Sequence, residues 1–321
     1  MLQHILVPVD GSACAEQALP VAARIARSTG ATMTIVRILA QPREYPYTLM
    51  DGSISMEECY DEEVREAENY LENIVYSKLL RGIVIQTELL SGLPHKLLPS
   101  LAHMKHIDLI VMCSRAATGF KRLVLGSIAQ ELIRSSSVPL LILRDGCIDT
   151  AISEKQFSVL VALDGTDNAE QALLPAAQLS AALSVPHVGK LHMLHIVKPR
   201  HAGQKLADET NQRAIEESRI HLNKLKDSIQ QKMSGALPLE VTSSVVLDID
   251  IPRTIIQTAE QGLATPNNPY AGYDAIAVVT HGNHGISYWF GEHVSEHMLG
   301  ETRLPLLVIR LQEQAAKAGK H

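Results

Sequence analysis

Two short clusters in the first half of the chain carry groups suited to holding an anion. Asp10-Gly11-Ser12 closes an apolar run, and Gly126-Ser127 opens an amphipathic one. A glycine and a hydroxyl at a helix start present free backbone amides, which favour a phosphate and let it come close. Asp10 can accept a ribose hydroxyl or cap the helix that follows it, and one carboxylate can do both. Cys113 ends another apolar run, where a cysteine is either a reactive thiol at a site mouth or, more often, a small buried residue. Lys121 and Arg122 read as a solvated basic loop.

A second group is the histidines His281, His284, His293 and His297. His293-Val-Ser-Glu296-His297 matches an HxxEH pattern, which puts two imidazoles on one helical face where zinc can use them. The equivalent helix of the first half reads SIAQELI and offers no ligands. Solvated or structural histidines are therefore expected, and no metal. The P-loop pattern GxxxxGK[ST], the dinucleotide pattern GxGxxG and the GxSxG elbow are all missing. No nucleophile–base pair or partnered general acid stands out, so no catalytic residue is expected.

The elements that must position these groups come in two copies. Ile5–Leu19 (ILVPVDGSACAEQAL) returns as Val159–Leu173 (VLVALDGTDNAEQAL) at an offset of 154, and Val138–Arg144 (VPLLILR) returns as Leu304–Arg310 (LPLLVIR) at 166. The extra 12 residues mark loop insertions near Ser184–Gly189 and Thr265–Tyr273. Each copy alternates apolar β-branched runs with helical patterns. Strands are expected at 5–9, 33–39, 83–89, 108–112 and 138–143, and again at 158–163, 191–197, 239–246, 274–279 and 304–309. Ala15, Leu19, Ala22, Ile25 and Ala26 share one helical face, and long polar helices are expected over 56–80 and 208–233. This alternation predicts an α/β fold: two doubly wound parallel-sheet domains in tandem, residues 1–146 and 157–311. In such sheets ligands bind beyond the carboxyl ends of the strands, where strand order reverses. The runs VPLLIL and LPLLVI are too apolar for open edges, which predicts an intrachain pseudo-dimer through the last strand of each copy. A homodimer of whole chains is a further option.

Composition agrees. Aromatics are 4% and all hydrophobics 46%, so the core must be aliphatic, as in a sheet covered on both faces. The net charge of −6 and the lack of a basic run argue against a nucleic-acid partner. Four scattered cysteines without a CxxC pair suit a reducing compartment. No apolar stretch reaches the ~20 residues of a membrane span, and the N-terminus runs straight into a strand pattern. A cytoplasmic protein is expected.

The order VPVDGS, DLIVM, LGS and VPLLILR resembles the universal stress protein family over nearly all of each half. The resemblance implies ATP or another adenine nucleotide as ligand. Backbone near Val9 and Ile38 would then meet the adenine, beside Pro8. Asp10 would sit near the ribose, Met112 and Ala116 would border base and phosphates, and Gly126, Ser127 and Ile128 would hold the phosphate. Asp164, Ile196, Gly282 and Gly291 are the second-half counterparts.

Neither phosphate loop keeps the whole family pattern. Cys113 and Ala116 replace two glycines in the first half, with nine residues before Gly126-Ser127. In the second half Val279 replaces a glycine, eight residues precede Gly291, and Glu292 replaces the hydroxyl residue. A carboxylate there repels a phosphate. The lost glycines favour the alternative of a nucleotide-independent scaffold acting through protein–protein contacts. The HIGH and SGGxDS signatures of adenylating relatives are absent, so weak ATP hydrolysis is the most enzymatic reading left.

Overall fold

The computed structural model describes residues 2–41, 56–114, 126–144, 155–199, 209–262, 272–281 and 301–311. The first unit contains β1 (His4–Val9), α1 (Ala13–Glu16), α2 (Ala18–Thr29), β2 (Thr32–Leu39), α3 (Met56–Val75), β3 (Ile85–Ser91), α4 (Pro94–Met104), β4 (Leu109–Ser114), α5 (Ser127–Ser135) and β5 (Leu140–Arg144). The second repeats the order with β6 (Ser158–Leu163), α6 (Leu173–Ser184), β7 (Gly189–Val197), α7 (Glu209–Lys232), β8 (Leu239–Leu247), α8 (Ile251–Gln261), β9 (Ala275–His281) and β10 (Leu306–Leu311).

All ten strands belong to one sheet, ordered β3-β2-β1-β4-β5-β10-β9-β6-β7-β8. The order is the same read from either end with the units exchanged, as a pseudo-twofold at the centre requires. Within each unit the pairs are parallel. At the centre β5 and β10 pair antiparallel, Leu140 with Val308 and Ile142 with Leu306. The pairing expected between the last strands of the two copies thus joins the units' sheets into one. The two apolar edges hide their unpaired backbone groups in each other. Because that central pair is antiparallel, the carboxyl ends of the two units' strands emerge at opposite edges.

Alternate residues of each strand enter two layers. Ile5, Val7 and Val9 point to one face with Leu109 and Val111, and α2, α3, α6 and α7 cover it. Leu6, Ile110 and Met112 point to the other, under α4, α5 and α8. Both layers run across the seam, where α2 packs on α6. Arg310 Nη1 at the end of β10 donates to the Ser135 carbonyl at the end of α5 (3.2 Å). With both faces covered, strands read as near-continuous apolar runs, which explains the sparse polarity of β1, β4, β5 and β6.

One device recurs in both copies. Asp108 Oδ2, just before β4, accepts from the backbone of Gln3 and His4 at 2.7 and 2.9 Å. Asp274 Oδ2, just before β9, accepts from Ser158 N at 2.7 Å. Each carboxylate ties the start of one central strand to its neighbour. The boundaries differ from the sequence reading by about two residues, as strand ends commonly do. The first helix is also divided: α1 ends at Glu16 and α2 begins at Ala18. The long helix expected over 56–80 stops at Val75 and is followed by a 3-10 turn, Lys78–Leu80, after extended Ser77.

Candidate functional site

The first unit's chain builds β1, β2 and β3 outward to one side, then returns to lay β4 on the other side of β1. The gap at the carboxyl ends of β1 and β4 is therefore the switch point where an open sheet leaves a crevice. A cavity of about 360 Å3 lies there, within the roughly 300–1,000 Å3 range of small-molecule sites. It is lined by Pro8, Val9 and Asp10 from β1 and the turn after it, by Ile38 from β2, by Met112 from β4, and by Gly126, Ser127 and Ile128 at the start of α5. These are all the first-unit candidates except Ala116. Ala116, Gly282 and Gly291 lie outside the described residues, as do Lys121, Arg122, His284, His293, His297 and residues 145–154 and 312–321.

Local chemistry explains the positions. β1 ends in a tight turn at Gly11, whose φ of +84° suits glycine. Asp10 Oδ1 accepts from Ser12 N at 2.9 Å, and Ser12 Oγ accepts from Ala15 N at 3.2 Å as the cap of α1. Ser12 is thus the cap and Asp10 closes the turn before it, and the Asp10 side chain stays exposed at the cavity edge. Gly126 caps α5 without a side-chain bond, so the helix start presents backbone amides to the cavity. Ser114 Oγ accepts from Gly126 N at 3.3 Å and so ties the tip of β4 to that helix start.

Ser114 was not among the sequence candidates. Neither were Ala15, Val36, Pro94 and Leu98, which also line the cavity. Leu98 and Val36 carried a signal, since both lie on apolar faces that point to the layer under the cavity. Cys113, which lines the cavity, also meets a second thiol: its Sγ lies 3.4 Å from Cys14 Sγ on α1.

Beside the mouth, on the opposite face of the sheet, lies a charged cluster. The Arg37 guanidinium sits 4.9 Å from the centre of the Tyr70 ring, and Tyr70 Oη donates to Glu16 Oε1 at 3.0 Å. Burial pushes the Tyr70 phenol far above its ordinary value, and the bond to the Glu16 carboxylate adds to the shift.

In the second unit Asp164 repeats the turn, accepting from Thr166 N at 2.9 Å and Thr166 Oγ1 at 2.7 Å. Asp164 and Ile196 line a cavity of about 620 Å3, with Gly165, His195, Glu217, Ser218 and His221. It opens toward α7. By register, His195 stands where the first unit has Arg37, since each pairs with the last residue of the central strand. His221 Nε2 lies 3.0 Å from Glu170 Oε1, as Tyr70 does from Glu16, though it is not aligned as a hydrogen bond. His195 Nδ1 is buried and has no partner among the described residues. Burial lowers the His195 pKa, the Asp164 carboxylate opposes that shift, and His221 adds to it. Nearby His192 is 8% exposed, with both ring nitrogens 2.8 Å from hydroxyls, of Thr242 and Ser244. Burial pulls its pKa down to about 4.

Among the described residues no cluster of three or more His, Cys, Asp or Glu side chains is placed to hold a metal ion. No described helix is long and apolar enough to cross a membrane.

The fold and the crevice define a fused pair of doubly wound α/β units, each with a strand-end mouth. The profile of the universal stress protein family matches residues 1–144 and again residues 157–310. The chain belongs to that family, with two such units in one polypeptide. It is 29% identical over 151 residues to the universal stress protein YxiE of Bacillus subtilis, covering 45% of this chain and all of that protein (100%). It is 27% identical over 144 residues to the universal stress protein MJ0531 of Methanocaldococcus jannaschii, covering 45% of this chain and 83% of that one. A universal stress protein from Archaeoglobus fulgidus shares the fold across both units, with a TM-score of 0.66, 19% identity and coverage of 96% of this chain and 98% of that one.

Proposed function

We propose that the first unit, residues 1–146, binds an adenine nucleotide, with ATP the leading ligand. The chain then serves in the cytoplasm as a stress-response module whose occupancy is passed to a partner protein. One observation carries the reading: the 360 Å3 cavity gathers an apolar wall (Val9, Ile38, Met112), an exposed carboxylate (Asp10) and a helix start with no side-chain cap bond (Gly126–Ile128). The wall suits a flat base, the carboxylate a ribose hydroxyl, and the amides a phosphate. Asp10 keeps Oδ1 on Ser12 N, and a carboxylate has lone pairs for a further donor.

The second unit, residues 157–311, is proposed as the weaker binder. Its described cavity opens over His195 and His221, and Glu292 follows Gly291 where a hydroxyl residue would receive the phosphate. The chain therefore carries at most one tight site.

Protein purified under mild conditions, then heat-released and chromatographed, is expected to yield an adenine nucleotide near one equivalent per chain. Calorimetric titration of the emptied protein with ATP is expected to fit a single site. A clean supernatant together with no heat on titration would falsify the nucleotide reading and leave a scaffold that works through protein contacts.

A further inference from the structure

We propose that Cys14 and Cys113 form a redox-active pair that closes reversibly to a disulfide in the wall of the first cavity. The two residues lie 99 apart in sequence on different elements, yet their sulfurs are 3.4 Å apart. A disulfide needs about 2.05 Å, so the sulfurs must approach by roughly 1.4 Å, within reach of side-chain rotation and a slight shift of α1. Cys14 sits in α1, the short helix that packs on β4, and Cys113 is the penultimate residue of β4.

Both are half-buried, and Cys113 lines the cavity, so a small solute in that space can reach it. The internal repeat sharpens the point. The corresponding positions of the second unit are Asn168 and Val279, so both facing positions carry sulfur in one copy and neither does in the other. Cys113 Sγ also lies 3.8 Å from Gln17 Oε1, a weak contact that a covalent bond to Cys14 would replace.

The co-reactant is a low-molecular-weight disulfide of the glutathione class. One thiolate of the pair attacks a glutathione sulfur, its S–S bond breaks, and a glutathione thiolate leaves. The second protein thiolate then attacks the protein sulfur of the mixed disulfide and expels the other glutathione. The two protein thiols lose two electrons and two protons, and two glutathione thiols gain them. Exchange of this kind runs in either direction with the poise of the thiol pool. The bond would join the tip of β4 to α1, one residue before Ser114, which anchors Gly126. Oxidation thereby stiffens the wall next to the helix start.

The test uses the full chain with Cys59→Ser and Cys147→Ser, which leaves only this pair of the four cysteines. Treatment with oxidised glutathione is expected to remove both titratable thiols and two hydrogens of mass, with no glutathione retained. Proteolysis should then release a linked peptide pair containing Cys14 and Cys113, and dithiothreitol should restore both thiols. Adding Cys14→Ser is expected to trap a glutathione adduct on Cys113 instead.

Phenylarsine oxide gives a second reading on the parent chain: one bridging arsenical that protects Cys14 and Cys113 together. Two retained glutathiones, or two thiols still titratable after denaturation, together with no bridging arsenical, overturn the proposal. The bond is read without nucleotide, so a chain that closes it but binds no ATP leaves this inference standing and defeats the preceding one.

Discussion

The two units share strand order, the carboxylate turn after the central strand, and the aspartate clamp before the fourth strand, yet their mouths differ in chemistry. In the first, Arg37 carries a permanent charge beside Tyr70 and Glu16, and the cavity sits against the α5 start. In the second, histidines replace both partners, and the cavity sits against α7. The same backbone thus holds a site of fixed charge in one copy and an acid-titrating one in the other. Fold is set by the buried alternation, which both copies keep. Function is set by the few positions at the strand tips, which diverged.

Acid gives the largest expected break in that symmetry. His192 titrates near 4 in the fold and about 6.5 when unfolded, so between those values the unfolded chain binds more protons. Stability therefore rises with pH through this window: it is full above about 6.5 and is lost as pH falls toward 4, by up to ~3 kcal/mol. His195, lowered by burial, adds in the same direction. His4 in the first unit is also lowered by burial but is only partly buried. Hydrogen exchange read peptide by peptide should show second-unit strands losing protection first on acidification, and His192→Asn should remove most of the slope. Equal loss in both units would erase the contrast.

Next in size are the turn glycines. Gly11 and Gly165 both have positive φ, +84° and +81°, but a Cβ at Gly165 would lie 2.9 Å from His195 Cε1, while at Gly11 the nearest atom, Arg37 Cζ, is 3.9 Å away. Gly165→Ala is expected to cost about 2 kcal/mol and Gly11→Ala about 1 kcal/mol in urea unfolding. Matching costs would mean that the His195 ring moves freely.

A third variant separates ligand contact from folding. Gly126 has a φ of −58°, and a Cβ built there meets no described atom within 4 Å. Gly126→Ala should leave the melting temperature unchanged and weaken ATP binding about tenfold. Unaltered affinity would show that the phosphate lies elsewhere. The smallest effects are expected beside Glu16 and Glu170: Tyr70→Phe removes the hydrogen bond to Glu16 and should cost about 1 kcal/mol. The second-unit counterpart, His221→Leu, should cost less, because the contact with Glu170 is partly exposed and not aligned as a hydrogen bond.

Much of the architecture was legible because burial on both faces leaves a plain mark. The runs around Leu6, Ile110, Leu141 and Leu160 read as strands, and the repeated DGS/DGT and PLLILR/PLLVIR fixed the duplication. Most first-unit site candidates were also legible, since a strand-end turn and a helix start are adjacent to their own motifs. Ser114, Leu98 and Pro94 were not, because they reach the cavity from β4 and α4, and nothing local marks a side chain that becomes a wall by packing. The division of the first helix at Gln17 did carry a local mark: Pro20 has no N–H to bond the Glu16 carbonyl and its ring crowds that turn, so the helix ends at Glu16 and starts again at Ala18.

By itself the amino-acid order determined the element types, their doubling, the apolar character of the last strands and the residues that stand where the family pattern has glycines. Those properties rest on local periodicity and residue chemistry. The tertiary structure alone decided the antiparallel register in which β5 and β10 join, that Cys14 meets Cys113, and that Ser114 anchors the start of α5. Such relations join residues far apart in sequence. They depend on strand register and on which surfaces exclude water together, and no single stretch of chain contains that information.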